Sequence, residues 1–225
     1  MLTVHHLEYS QSFRILWLLE ELGTPYELKV YQRDPKTMLA PADYKAVSPL
    51  GTSPVITDGG AALAETNAIV DYILDTYGPG NLRPAPGDAN RDKYLFWFHA
   101  SQGSLMPILT MATVFDALKT KAPFFARPML KLALGRAEAM MVTPRMKALV
   151  KMMEDDLGQS DWFAGDELTA ADIVMCYCME GAAAKGFIGK NHPNALAWIH
   201  RMRERPAFKR ALEKDGTGQV AFKSS

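Results

Sequence analysis

The chain has 225 residues, 48% of them hydrophobic and 22% charged, a balance that supports a sizeable buried core and excludes disorder or a collagen-like repeat. Lysine and arginine number 25 against 25 aspartates and glutamates, so no global field draws the protein to nucleic acid or anionic lipid, and any anion site must be local. No apolar run approaches the roughly 20 residues that cross a bilayer, and residues 1–6 lack the basic and apolar regions of a secretory leader, so a cytoplasmic location without a membrane span is expected.

Residues 2–7 read as a short strand. Ile15, Leu18, Leu19 and Leu22 then fall at i, i+3, i+4 and i+7, with Gly23 and Pro25 beyond, which predicts an amphipathic helix with a marked end. Residues 26–31 alternate again, giving β-α-β with parallel strands and a right-handed crossover. After the polar segment 33–47, residues 53–57 and 61–63 flank the turn Asp58-Gly59-Gly60 as a hairpin does. A helix follows, with Ile69, Val70, Ile73 and Tyr77 on one face and Gly78-Pro79-Gly80 as its stop. The order β-α-β-α-β-β-α is thus readable from periodicity and breakers.

Residues 78–90 hold three prolines and three glycines, the composition of a linker. From Arg91 onward apolar periodicity of the helical kind runs through 94–119, 129–157, 171–186 and 195–203, without a convincing strand. The expected organisation is an α/β domain over 1–80 and an all-α domain over 91–225.

Four places carry polar residues suited to chemistry. Strand one hands over to helix one through Tyr9-Ser10-Gln11-Ser12-Phe13-Arg14, where free backbone N–H groups and the helix dipole stabilise an anion. Ser10 or Ser12 is there either as a helix cap or as a hydrogen-bond donor to a bound thiolate. Pro54, after Ser53, opens the third strand, either at a sheet edge or through a cis bond that turns the preceding backbone toward a ligand. Glu65 and Thr66, at the entry to helix three, suit the amino and carboxylate groups of an amino-acid ligand, or simply cap that helix. Thr169 and Asp172 have capping-box spacing and read as structural.

Other features read as architecture. Cys176 and Cys178 would point about 200° apart on a helix, so packing is expected rather than a disulfide. His5 and His6 face opposite sides of a strand, so one of them is expected to be buried. The basic stretch 200–210 is broken by Glu204 and Pro206, as a solvated helix face is, and no metal-ligand spacing, Walker loop or dinucleotide fingerprint occurs.

Taken together, Gly51-Thr52-Ser53-Pro54-Val55-Ile56, Glu65-Thr66-Asn67-Ala68-Ile69 and Gly165-Asp166-Glu167-Leu168-Thr169-Ala170-Ala171-Asp172-Ile173, in that order, make the chain resemble the cytosolic glutathione transferases over nearly its whole length. The segments His6-Leu7-Glu8-Tyr9-Ser10 and Arg14-Ile15-Leu16-Trp17-Leu18-Leu19-Glu20-Glu21-Leu22 are similar to the serine-type branch of bacteria and fungi. Thr52-Ser53 stands where that family commonly has Lys-Val or Gln-Val, and Thr66 replaces a serine while keeping the hydroxyl.

The resemblance implies a thioredoxin-like domain that binds glutathione as co-substrate, and a helical domain that shapes a pocket for a hydrophobic electrophile. It implies a cis bond before Pro54, with the Ser53 backbone against the cysteinyl part of glutathione and Glu65 and Thr66 at its γ-glutamyl end. Ser10, four residues before Arg14, is the expected thiolate donor, with Tyr9 and Ser12 as rivals. Lys36 and Lys45 are candidates for the glycyl carboxylate. Phe98, Leu105, Met106, Ile108, Met111 and Phe115 either line the second pocket or pack the core, and the methionines of 121–153 serve adaptable binding, core or subunit contact. A detoxifying homodimer without metal is the expected form. The alternatives are a glutathione-dependent peroxidase or disulfide reductase on the same fold, and a non-catalytic binding module.

Overall fold

A computed structural model describes residues 1–48, 50–78, 81–218 and 220. Strand β1 (Thr3–Leu7) runs parallel to β2 (Glu27–Tyr31) after the crossover through α1 (Phe13–Leu22), as the alternating periods predict. Gly23 ends α1 in the left-handed conformation at φ 64°, where glycine carries no Cβ penalty. Helix α2 (Ala42–Val47) is the second helix of the expected order and falls inside the polar segment 33–47. Strands β3 (Val55–Asp58) and β4 (Ala61–Ala64) form the expected hairpin, and α3 (Thr66–Thr76) follows. The sheet order is β2-β1-β3-β4, with β1 antiparallel to β3. This is the thioredoxin-like arrangement.

The remaining elements are helical: α4 (Arg91–Ala100), a π turn (Ser101–Leu105), α5 (Met106–Lys121), α6 (Arg127–Met141), α7 (Thr143–Leu157), α8 (Ala170–Ala184), α9 (Pro193–Glu204) and α10 (Pro206–Asp215). Helices α4 and α5 form one rod interrupted by the π turn, an irregularity that frequently accompanies functional sites. Of the expected stop at 78–80, Pro79 and Gly80 lie outside the described residues. The segment beyond them is pinned rather than slack: Leu82 is buried, its carbonyl accepts the Ala170 N–H, and Arg83 pairs with Asp71 and Asp75 of α3.

One apolar core runs through both parts of the chain. Helix α1 is central to it, buried from Phe13 to Leu19 and packed on both α8 and α10. Phe208 of α10 meets the rings of Phe13 and Trp17 edge-on. Thr169 and Asp172 form the expected capping box of α8, and Asp172 also accepts the Phe163 N–H and the Trp198 indole N–H. Both cysteines are free and buried on α8.

Packing sorts two groups of residues whose roles the sequence leaves open. Phe98, Leu105, Met106 and Ile108 are core residues, because the helical rod turns them into the bundle; Ile108 also borders a cavity, shared with Gly103, Pro107, Arg145 and Leu149. The methionines of 121–153 divide: Met146 and Met153 are buried, whereas Met129, Met140, Met141 and Met152 are exposed.

Candidate functional site

The turn after β1 gathers hydroxyls instead of capping α1. Ser12 holds the N-cap position, yet its side chain makes no cap hydrogen bond. Its Oγ lies 2.8 Å from Nδ1 of His6, so the backbone loses a cap that the local sequence favours. Ser10 Oγ lies 2.5 Å from the Leu7 carbonyl, 2.7 Å from Ser12 Oγ and 2.9 Å from Ser53 Oγ. The chain bends through Tyr9 at φ 52°, a left-handed value that a residue with a side chain adopts at some cost.

Ser53 and Pro54 are joined by a cis peptide bond, and β3 begins only at Val55, so Pro54 precedes the strand. Tyr44 and Ser48 of the α2 region both donate to the Thr52 carbonyl, at 3.1 and 2.8 Å, and fix the approach to the turn. Glu65 sits at φ 75°, a second left-handed side-chain-bearing residue, and α3 has no side-chain cap. The capping reading of Glu65 and Thr66 therefore does not hold: Thr66 turns its hydroxyl 3.5 Å from Gln11 Oε1.

These turns converge. Gln11, Thr52, Ser53, Pro54, Glu65, Thr66 and Gln102 line one cavity of about 140 Å³, with Ser10 against its Ser53 wall. Four of the five residues singled out from sequence share that lining, and the fifth touches it. The sequence singles out neither Gln11 nor Gln102 as a site residue. Gln11 Oε1 accepts from Gln102 Nε2 at 2.7 Å and from Arg14 Nη1 at 3.1 Å. Since a guanidinium only donates, the atom beside Arg14 is the Gln11 oxygen, and the Gln11 NH2 remains as a donor.

Arg14 is fully buried, and its other partners are neutral: the Cys178 sulfur at 3.4 Å and the Tyr177 ring. Burial pushes the Cys178 thiol up, against the pull of Arg14, so this sulfur stays protonated and inert. Of the cationic candidates, Lys45 lays its stem along Gly51, near the Thr52–Pro54 turn, while Lys36 lends its backbone N–H to Asp34. Arg33, on the loop after β2, is taken up by the carbonyls of Glu8 and Met38.

Both histidines of β1 are buried, against the expectation of one, because the sheet is covered on both faces. His5 contacts Tyr31 and Thr57, at 2.9 and 3.1 Å. Burial, aided by Lys29, lowers the pKa of His5 and keeps the ring neutral at pH 7. His6 Nε2 lies 3.0 Å from Asp215 Oδ1 at the end of α10, a close approach bent away from the ring N–H axis.

Residues 10–76 match the family model described as "Glutathione S-transferase, N-terminal domain", and residues 121–215 match "Glutathione S-transferase, C-terminal domain". The chain is 34% identical over 215 residues to "Glutathione S-transferase 3" of Schizosaccharomyces pombe, covering 95% of this chain and 88% of that one. A solved glutathione S-transferase of Actinobacillus pleuropneumoniae superposes with a TM-score of 0.75 at 30% identity, over 98% of this chain and 94% of that one. A Phanerochaete chrysosporium transferase, URE2P6, solved with oxidised glutathione, shares the fold with a TM-score of 0.72 at 21% identity, over 97% of each chain. With two matching domain models in order and relatives aligned almost end to end, the chain belongs to the glutathione S-transferase family.

Proposed function

We propose that this glutathione transferase binds glutathione along the cavity of Gln11, Ser53, Glu65 and Thr66, with its sulfur beside Ser10, and transfers it to small apolar electrophiles. The observation that carries this reading is the convergence of Ser10, Ser53, Pro54, Glu65 and Thr66 from three separate turns upon one cavity. Glu65 supplies a charge for the α-amino group of the γ-glutamyl end. The hydroxyl of Thr66, the free N–H groups opening α3 and the Gln11 amide supply donors for the α-carboxylate. The cis turn exposes the Ser53 backbone to the cysteinyl amide.

A free thiol has a pKa near 8.5, so most of it is protonated at pH 7. Lowering that value by about two units requires roughly 2.7 kcal/mol of preference for the thiolate. The opening of α1 contributes up to about 1–2 kcal/mol and a charge-assisted hydrogen bond from Ser10 about 1.5–3 kcal/mol, which together suffice. Ser10 acts as donor, and the glutathione sulfur is the nucleophile.

A cytoplasmic homodimer completes the reading. Phe96, Gly103 and Pro107 fall at i, i+7 and i+11 along the α4–α5 rod, and the groove of about 380 Å³ beside the latter two offers an outer face for a second copy. A glutathione-dependent activity panel of an aryl halide, an organic peroxide and a mixed disulfide tests the reaction class. Turnover of the aryl halide that falls in Ser10→Ala is the expected result. Activity confined to the peroxide or disulfide replaces transfer with reduction, and absence of glutathione binding by calorimetry leaves a non-catalytic module.

A further inference from the structure

Helix α6 reverses the ordinary rule of a surface helix. It has no buried residue, although it packs against both α5 and α7. Met129, Leu132, Arg136 and Met140 fall at i, i+3, i+7 and i+11, one stripe along the helix, and its apolar members are 70%, 61% and 79% exposed. A helix resting on a core turns such a stripe inward. Here Leu130, Leu134 and Glu138 take the half-buried side, and the stripe faces water. Phe124 and Phe125, which lead into the helix, are 82% and 75% exposed, with their rings edge-on at 5.8 Å. Single exposed apolar residues are ordinary, but five large ones on one loop and one helix face mark a contact surface.

The charge of the same stretch says what that surface meets. The chain is neutral as a whole, yet residues 117–141 hold five cations, Lys119, Lys121, Arg127, Lys131 and Arg136, against one acid, Glu138. Glu138 is taken up by Lys119, which also meets Asp116. Lys121, Arg127, Lys131 and Arg136 are all exposed, and among the described residues none of them has a carboxylate partner; Arg127 gives its Nε–H to the Ala122 carbonyl. Apolar side chains ringed by cations match the boundary between the headgroups and acyl chains of an anionic bilayer. Rings and thioethers enter the hydrocarbon edge, while lysine and arginine stems reach back to the lipid phosphates and carboxylates. A second copy of the chain is the poorer occupant, because a two-fold contact would set this patch against itself and bring the same cations together with no acid to answer them.

We propose that the loop of Phe124 and Phe125, together with the outer face of α6, docks the protein on the surface of an anionic lipid bilayer. The contact is interfacial. No helix of the described residues is long and apolar enough to cross a membrane, and α6 lies in the plane of the headgroups with its stripe inward. Two forces act together: the cations draw the patch to the surface, and burial of the phenylalanines and methionines holds it there. The patch shares no residue with the cavity of Gln11, Ser53 and Glu65 or with the groove beside Pro107.

The test is flotation of the unmodified chain with vesicles of phosphatidylcholine alone and of phosphatidylcholine with phosphatidylserine at about two to one. At low ionic strength, binding to the anionic vesicles is expected to be about tenfold or more tighter than to the neutral ones, and to weaken severalfold in about 0.5 M salt. Phe124→Ser with Phe125→Ser is expected to weaken binding about tenfold or more, and Lys131→Glu with Arg136→Glu at least as much. All four positions are exposed, and melting curves check that the variants fold. Lys190→Glu, at an exposed cation in the turn before α9, is expected to leave binding unchanged. Failure of the unmodified chain to float with the anionic vesicles overturns the proposal. So does equal binding to both kinds of vesicle, or a loss per reversed charge as large at Lys190 as at Lys131 and Arg136. Sedimentation of the unmodified chain and of the phenylalanine variant judges the rival occupant: an oligomer that dissociates on Phe124→Ser with Phe125→Ser, in a chain that does not float, assigns the face to a second copy. Should a variant not fold, the comparison of vesicles and salt on the unmodified chain decides.

Discussion

Gln102, in the π turn between α4 and α5, donates to Gln11 at 2.7 Å and thereby joins the helical part of the molecule to the first turn of the α/β part at the cavity wall. The same Gln11 oxygen takes a hydrogen bond from buried Arg14. One neutral amide therefore stands between an arginine with only neutral partners and the place proposed for the γ-glutamyl carboxylate.

Replacing that amide by an acid separates stability from binding. Gln11→Glu gives Arg14 a counter-charge, which is expected to raise stability by about 1 kcal/mol, or roughly 2–4 °C in Tm for a chain of this size. The same change removes the NH2 donor and adds a negative charge at the cavity, so KM for glutathione is expected to rise about tenfold or more. Thermal melts and steady-state kinetics on one preparation check both halves.

Glu65 lies in a strained backbone position, with its side chain at the cavity. Glu65→Gln keeps the shape but removes the charge offered to the α-amino group. The expected outcome is a rise in KM for glutathione of about tenfold, with kcat changed less than threefold, as for an interaction made equally before and during the reaction. A fall in kcat at constant KM would assign Glu65 to the chemical step instead.

Glu20 ties α1 to α10, the helix that carries Asp215. Burial raises its pKa, but the hydrogen bonds from Lys214, Arg210 and Tyr26 outweigh that and hold the carboxyl below the ordinary 4.5 of a glutamate. A depressed value means that Glu20 contributes stability above pH 4.5 and loses it as pH falls through the folded-state value. Urea unfolding of the unmodified chain and of Glu20→Gln is expected to differ at pH 7 and to converge as pH falls through the depressed folded-state value of Glu20.

Cys176 and Cys178 are buried, and burial raises both thiol pKa values. Neither is expected to react with a maleimide in the folded protein at pH 7, and both are expected to react once it is unfolded in urea. Mass spectrometry of the two samples decides this. Labelling of the folded protein at stoichiometric level would show that a protein thiol is available for mixed-disulfide chemistry.

Much of the architecture is readable in the sequence because it is local. The switch in period between residues 2–31, the Asp58-Gly59-Gly60 turn and the Thr169/Asp172 box each depend on neighbours within a few positions, and each appears in the structure. The cavity lining was approachable for the same reason, since Ser53, Pro54, Glu65 and Thr66 sit at turns that mark themselves. What stayed hidden depends on packing at long range. His6 and Asp215 meet only because α10 lies along α1, and Gln102 reaches Gln11 only because a π turn rotates that part of the rod. The failure of Ser12 to cap α1 had no local sign, since the competing partner comes from the strand before it.

The ionisation midpoint of glutathione bound to the enzyme, read by thiolate absorbance across pH 5–10 for the unmodified chain and for Ser10→Ala, tests the central claim most directly. The account predicts a midpoint about two units below that of the free thiol, near 8.5, and an upward shift of about one to two units when the Ser10 hydroxyl is removed. The same midpoint in both proteins would contradict it.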